Sequence, residues 1–298
     1  MPTNEQIVEQ ALARITAGYV FPDKATAIEE AIRIRIASGA YEGLSDRELC
    51  ETVTAHLQEV CPDKHLRLMW TEEPQSLEPV DDDGGMAAFM SFLRTENQGI
   101  RRVERLDGNV GLIELTRIAT AIEGADAIGA AMRLVAQSCA LVLDLRECLG
   151  GAPEGAALWN SHFFPDDQVH LNDIYDRGSD STRQFWASAH LPGPRYTDDR
   201  PVYVLTSERT FSGGEDVAYT LQAHGRAVVI GATTRGGAHP TARRAVAEHI
   251  LVTVPTARSI NPVTGTNWEG VGVVPDIQVP ADEALDEALK AVMERQGG

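Results

Sequence analysis

Between residues 4 and 60 apolar positions recur with helical spacing. Asn4 to Ile15 places Ile7, Ala11 and Ile15 on one face, four apart. A second helix is predicted over Pro22 to Ala37, because proline suits the first helical turn. Ser45-Asp46-Arg47-Glu48 is a capping box: the serine hydroxyl takes the third amide and the glutamate reaches back to the serine amide. The helix it opens is expected to run to about Val60, and Pro62, which lacks an amide hydrogen, stops it. Three short helices joined by turns predict a small bundle.

From Gly99 onward the pattern changes to apolar runs alternating with helical stretches. Val110 to Leu115, Ala140 to Leu145, Pro201 to Thr206 and Arg226 to Gly231 read as strands. The Ala140 run is almost continuously apolar, as a strand covered on both faces must be. Helices are predicted over Ala125 to Gln137, after Gly151, after Ser212 and over Ala281 to Arg295. Strand–helix–strand repetition implies an α/β layered core with right-handed crossovers. Thr71 to Gly85 is polar and acidic, and Asp81, Asp82 and Asp83 within it read as a solvated loop rather than a cation site. The expected organisation is a helical domain over 1–70, a linker over 71–98 and an α/β core over 99–298.

Charge narrows the function. The 298 residues carry 26 Lys and Arg against 44 Asp and Glu, a net charge of −18. An acidic chain lacks the basic footprint that nucleic-acid backbones and anionic lipids require, so neither is an expected partner. No apolar run approaches the ~20 residues of a membrane span, and the acidic N-terminus does not read as a secretory signal. A cytoplasmic location is the expectation. Cys50, Cys61, Cys139 and Cys148 form no C-x-x-C pair and have no histidines at zinc-ligand spacing. They are expected to be free thiols, and no metal or cofactor is implied.

Two glycine-rich turns follow apolar strands and carry the candidate chemistry. One is D-L-R-E-C-L-G-G, ending at Gly150 and Gly151; the other is T-F-S-G-G-E-D around Ser212. A strand that opens through small residues into a helix exposes amides able to stabilise an oxyanion. Ser212 there is either a helix cap or a nucleophile. Neither turn matches a dinucleotide or Walker fingerprint, and the nucleophile elbow G-x-S-x-G is absent. Arg235 and Arg258 are candidates to clamp a substrate carboxylate, with surface pairing as the other reading.

Several segments taken together resemble the carboxy-terminal processing (tail-specific) serine peptidase family. They are Y-V-F-P-D-K from Tyr19, S-G-A-Y-E-G-L-S-D from Ser38, D-K-H-L-R-L from Asp63, D-L-R-E-C-L-G-G, F-S-G-G-E, T-T-R-G-G-A-H-P from Thr233, and N-W-E-G-V-G-V-V-P-D-I from Asn267. The branch is similar to the modules of interphotoreceptor retinoid-binding protein. The resemblance spans nearly the whole chain and implies a crotonase-like α/β core behind a small N-terminal helical bundle. The stretch between His65 and Val110 is too short for the PDZ domain these proteases usually carry, so none is expected.

The resemblance also implies roles. Family members use a Ser–Lys dyad, but Gly237 stands where the lysine would be, so on that alignment a Ser–Lys mechanism is excluded. The tricorn core protease, a relative, uses Ser, His and Glu. Ser212, His65 and Glu269 match these as nucleophile, base and orienting acid. Lys64 replaces the serine that precedes tricorn's histidine, so Asp63 and Glu215 are alternative orienting acids, and His239 is the rival base. Gly213 with Gly151 or Gly150 would form the oxyanion hole. The expected activity is a serine hydrolase acting on a peptide or small acyl substrate through an acyl-enzyme. The alternatives are a carrier of an apolar, retinoid- or fatty-acid-like ligand held in a cleft between domains, and an acyl hydrolase or cyclase of a small-molecule pathway. The sequence does not specify an oligomeric state.

Overall fold

The computed structural model describes residues 2–77, 83–197 and 200–297. In chain order its elements are α1 (Asn4–Gly18), α2 (Pro22–Ala37), α3 (Asp46–Val60), β1 (Arg67–Trp70), α4 (Asp83–Thr95), β2 (Ile100–Leu106), β3 (Val110–Leu115), α5 (Ala121–Val135), β4 (Ala140–Asp144), α6 (Pro153–Ser161), β5 (His170–Asp176), β6 (Ser181–Trp186), β7 (Val202–Thr206), α7 (Gly213–Ala223), β8 (Val228–Gly231), β9 (Thr241–Ala247), β10 (Ile250–Pro255), β11 (Ala257–Ile260), β12 (Ile277–Gln278) and α8 (Ala284–Gly297). The fold class is α/β with a small helical domain at the N-terminus, as the sequence predicts. Among the described residues no helix is long and apolar enough to cross a membrane.

The chain divides into two compact units. The first holds residues 1–86, 174–183 and 239–259; the second holds 87–173, 184–238 and 260–298. The first unit is therefore more than the N-terminal bundle. Helices α1, α2 and α3 pack with an antiparallel sheet of order β1–β10–β9, whose last two strands come from late in the chain. Its core joins Val8, Leu12 and Ile15 of α1, Ile28 and Ile32 of α2, and Leu49, Val53 and Leu57 of α3 to Val252 and Val254 of β10. The capping box at Ser45 forms as read: the Ser45 amide donates to Glu48 at 2.9 Å. A second box, Thr3 with Gln6, opens α1.

The second unit is built on a six-stranded sheet of order β12–β8–β7–β4–β3–β2. All neighbours are parallel except β2, which returns antiparallel to β3. Strand β4 is buried along its whole length. The side-chain period of two sends Leu141 and Leu143 to one face, against Trp159, Phe163 and Met132. Ala140 and Val142 go to the other, with Ala284, Ala288 and Val292 of α8. Each such large side chain contributes about 1.5–3 kcal/mol by leaving water. The carboxyl ends of β4 and β7 run directly into the two glycine-rich turns.

Helix α4 occupies residues 83–95, inside the segment expected to be a linker, and buries Leu93. Residues 78–82, which include Asp81 and Asp82 of the acidic triplet, lie outside the described residues. The third sheet, of order β11–β5–β6, has residues in both units. All four cysteines are free thiols.

Candidate active site

In the second unit, β7 leads through Ser207 to Phe211 into α7, and Ser212 stands at the junction. Its backbone has φ 53° and ψ −120°. A side chain held in that sparsely populated region is strained, and it persists only where its surroundings fix it. Those surroundings are the other glycine turn. A Cβ added at Gly150 would lie 2.8 Å from both the Ser212 Cβ and the Gly213 nitrogen, and Gly150 itself has φ 90°. Only glycine admits this approach. A Cβ at Gly213 would lie 3.0 Å from the Gly151 nitrogen, which sets those two residues side by side.

The amides of this pocket divide into spent and available donors. Gly150 gives its N–H to the Cys148 sulfur, and burial pushes that thiol up to about 12, so it stays protonated. The Ser212 amide donates to Glu215 Oε2 at 2.7 Å. Gly214 donates to the Phe211 carbonyl. Gly151 and Gly213 donate to no acceptor among the described residues. Two orphan amides beside one strained serine, at the positive end of an eleven-residue helix, form a cradle for negative charge.

Glu215 holds the turn in place. It is fully buried and accepts four hydrogen bonds: Oε1 from the Thr234 hydroxyl (2.5 Å) and the Gly236 amide (2.6 Å), Oε2 from the Gly237 amide (2.9 Å) and the Ser212 amide. Burial raises its pKa against the pull of these donors. Both oxygens of Glu215 are thus engaged within the unit by amides and a hydroxyl, and no imidazole is among these partners. The same 236–238 loop is fastened a second time. Trp268 Nε1 donates to the Gly237 carbonyl at 2.8 Å, and the Ala238 amide donates to Glu269 Oε2 at 2.6 Å. Arg235, at the edge of this loop, is exposed, and its guanidinium lies 4.8 Å from the Phe211 ring centroid.

The first unit gathers both candidate imidazoles around one carboxylate. Asp63 and His239 are buried, and Asp63 Oδ2 lies 2.7 Å from His239 Nδ1. The same oxygen accepts from the Tyr19 hydroxyl at 3.0 Å, while Oδ1 accepts the His65 amide at 3.0 Å. Burial works to raise the Asp63 carboxyl, but the hydrogen bond and charge of His239, with the His65 amide, outweigh it and hold it below the usual range. Tyr19 is pushed strongly up, first by burial and then by Asp63, so its hydroxyl remains a donor. His65 is half-buried, and its carbonyl accepts from Thr253 of β10 at 2.5 Å. Arg258, on β11, stands by the Phe21 and Tyr175 rings.

The structure thus collects Ser212, Gly213 and Glu215 of one turn with Gly150 and Gly151 of the other, and Glu269 bonds to the 236–238 loop that Glu215 also grips. It collects Asp63, His65 and His239 in the other unit. Tyr19 and Thr234 are the participants that sequence reasoning did not single out. Both act through partners far along the chain, and neither carries a local signal beyond lying in segments that resemble the family.

Residues 109–279 match Peptidase family S41, and residues 2–105 match the N-terminal domain of Peptidase S41 in eukaryotic IRBP. A carboxy-terminal-processing protease of Bartonella bacilliformis is 34% identical over 149 residues. That match covers 50% of this chain and 32% of the relative, so the chain spans about a third of the length of the curated protein it resembles. A lipoprotein from Streptococcus agalactiae superposes with a TM-score of 0.65 at 16% identity, covering 99% of this chain and 98% of the other. The photosystem II D1 C-terminal processing protease superposes at 0.55 with 14% identity, covering 95% and 94%. These likenesses carry the fold, while the family rests on the sequence match, which takes in both glycine turns and more than half of the chain: the protein belongs to Peptidase family S41.

Proposed function

We propose that the protein is a serine peptidase that cleaves peptides through an acyl-enzyme at Ser212. The observation supporting this reading is the strained Ser212 beside the unspent amides of Gly151 and Gly213. A serine hydroxyl is a weak nucleophile and needs a base. In this reading His65 is that base, the role the family resemblance implies, with Glu269 as its orienting carboxylate. Ser212 Oγ bonds to the scissile carbonyl carbon as its proton passes to the imidazole. The oxyanion that forms is held by the Gly151 and Gly213 amides. Collapse breaks the C–N bond, and the imidazolium returns the proton to the departing amine. Water then attacks the ester, giving the acid product and free Ser212. One oxyanion donor is typically worth about 100- to 1,000-fold in rate.

A fluorophosphonate probe tests the nucleophile. The expected result is labelling of Ser212 in the native protein and none in Ser212→Ala, with unchanged melting. An unlabelled native protein would sink the hydrolase reading in favour of a ligand carrier. Hydrolysis of a peptide panel set against esters separates peptidase from esterase.

A further inference from the structure

In the first unit, α3 lies beside the outer edge of β1 and caps it. Among the described residues β1 pairs only with β10. The Thr71 amide donates to the His249 carbonyl, so by the two-residue period the backbone groups of Leu68 and Trp70 face away from β10. Thr54 serves Leu68 on that side: its hydroxyl accepts the Leu68 amide at 3.0 Å and donates to the Leu68 carbonyl at 3.2 Å. One helical turn later, Gln58 Nε2 donates to the Leu66 and Asp63 carbonyls at 2.9 and 2.5 Å. Four helical residues rise about 6 Å and two strand residues about 6.6 Å, so successive turns of α3 meet alternate residues of β1.

The series stops at Trp70. One turn before Thr54 stands Cys50, and no described side chain, this thiol included, bonds to the Trp70 amide or carbonyl. Burial pushes the Cys50 thiol up to about 12, so it is a neutral wall. A cavity of about 510 Å³ opens here, lined by Arg47, Cys50, Glu51, Thr54, Leu68 and Trp70, a size that suits a small ligand. Arg47 and Glu51 have the i, i+4 spacing at which opposite charges ordinarily pair. Here they do not. Among the described residues neither side chain has an ion pair or hydrogen bond, whereas Arg33 pairs with Glu9 and Glu29, and Arg35 with Glu59. The Arg47 guanidinium carbon lies instead 3.6 Å from the Trp70 ring centroid, and the His249 ring stacks on the same indole at 6.4 Å. Cation–π contact orients the guanidinium plane and leaves its edge of N–H donors available.

We propose that this cavity binds a dipeptide with both ends free, its carboxylate on Arg47, its ammonium group on Glu51 and its amide on the open backbone edge at Trp70. Each part of the ligand answers one group that the fold leaves unmet. The guanidinium fork takes both carboxylate oxygens, and the Glu51 carboxylate takes the amine. The peptide amide continues the hydrogen-bonding edge of β1 beyond the point where α3 ceases to cap it. Leu68, Ala55 and Cys50 give the ligand's side chains an apolar wall. The lengths agree: the ends of an extended dipeptide are roughly 6 Å apart, as are residues one turn apart on a helix. The site lies within the first unit and stands whether or not Ser212 is a nucleophile.

Calorimetric titration of the full-length Ser212→Ala protein, which lacks the proposed nucleophile, tests the site. The probes are leucyl-leucine, its N-acetyl form, its C-terminal amide and free leucine. Leucyl-leucine is expected to bind, and each of the other three about ten-fold more weakly or worse, the usual worth of a hydrogen bond to a charged group. Arg47→Gln should erase the difference between leucyl-leucine and its amide, and Glu51→Gln the difference between leucyl-leucine and its N-acetyl form. Both positions are exposed, and melting curves show whether the variants fold. If either does not, Ala55→Trp, which fills the cavity from an exposed position, carries the test and should remove binding. Failure of leucyl-leucine to bind, equal binding of a blocked form, or undiminished discrimination in either glutamine variant would overturn the proposal, as would undiminished binding in Ala55→Trp. Leucine bound as tightly as leucyl-leucine would overturn the dipeptide class, because the edge at Trp70 would then contribute nothing. Fluorophosphonate labelling of the native protein is read separately, and its failure would leave this site standing.

Discussion

Asp63 and His239, separated by 176 positions in sequence, share a buried 2.7 Å hydrogen bond between Oδ2 and Nδ1. A carboxylate on Nδ1 fixes the imidazole tautomer and leaves Nε2 as the basic nitrogen. The pair also has a pH signature. The folded Asp63 carboxyl lies below its ordinary value of 3.8. Its stabilisation is therefore complete above the unfolded carboxyl's range and is lost as pH falls through the lower, folded value. Asp63→Asn should flatten that acid limb and cost about 3 kcal/mol at neutral pH, since it strips a buried imidazole of its charged partner. Urea melts between pH 2 and 7 check this; an acid limb identical to the native one would show that the pair contributes nothing.

Two imidazoles bracket this carboxylate, and only one is assigned as base. His65→Ala is expected to lower the rate of Ser212 labelling by about 100- to 10,000-fold, the usual worth of a positioned general base. His239→Ala should lower stability and leave labelling within about ten-fold. The opposite ranking, measured at a temperature where both variants are folded, would move the base to His239.

What the sequence revealed, and what it hid, follows from range. Helices α1, α2 and α3 announce themselves through period and caps, and β3, β4, β7 and β8 through apolar runs, because those signals are local. The hairpin β9–β10 and the four-residue β1 acquire their meaning only on pairing: Leu68 opposes Val252 across most of the chain. Accordingly, the 239–259 segment, which reads as part of the α/β core, groups with the helical unit. At the candidate site, the turn that carries Ser212 and its glycines is legible because a small-residue turn after a buried strand is a local event. The bond between Asp63 and His239 was not, since no pattern within either segment points to the other. Glu215 is an intermediate case. Its capping position was readable, but three of its donors come from 19 to 22 residues downstream.

Glu215 should behave as a positioning residue for Ser212. Glutamine at 215 keeps the shape but turns a carboxamide NH2 toward one pair of donors, either the Ser212 and Gly237 amides or Thr234 and Gly236. The Thr234 hydroxyl cannot simply turn away and leave the network intact, because its oxygen already accepts the Val273 amide at 2.7 Å. Unmade buried hydrogen bonds cost about 1–3 kcal/mol each, so Glu215→Gln should lose roughly 3 kcal/mol or more. It should also slow labelling at temperatures where the variant is folded, because the Ser212 amide is no longer anchored. Native labelling kinetics in a destabilised but folded variant would make Glu215 a purely structural acid.

Asp216, one residue on, predicts a stabilising substitution. It is buried in the first turn of α7 and accepts from the Thr220 hydroxyl at 3.0 Å and from Asn172 Nδ2 at 3.2 Å. Burial pushes its carboxyl up to about 6, against those two hydrogen bonds. A raised carboxyl pKa means that the folded state holds its proton more tightly than the unfolded chain. Stability from this group therefore falls as pH rises from about 4 to about 6 and stays reduced above that. Asp216→Asn removes the buried charge and retains an acceptor for Thr220. The new amide also has a ready partner, because Asn172 Oδ1 is buried and has no hydrogen-bond partner among the described residues, and a flip of the Asn172 amide presents that oxygen. The variant should gain about 1–3 kcal/mol at pH 8 and little or nothing at pH 4, the ceiling being a shift of about two pKa units. Urea unfolding at the two pH values measures it. A gain independent of pH would place the effect in packing, and a loss at pH 8 would mean that the ionised carboxylate is needed where it is.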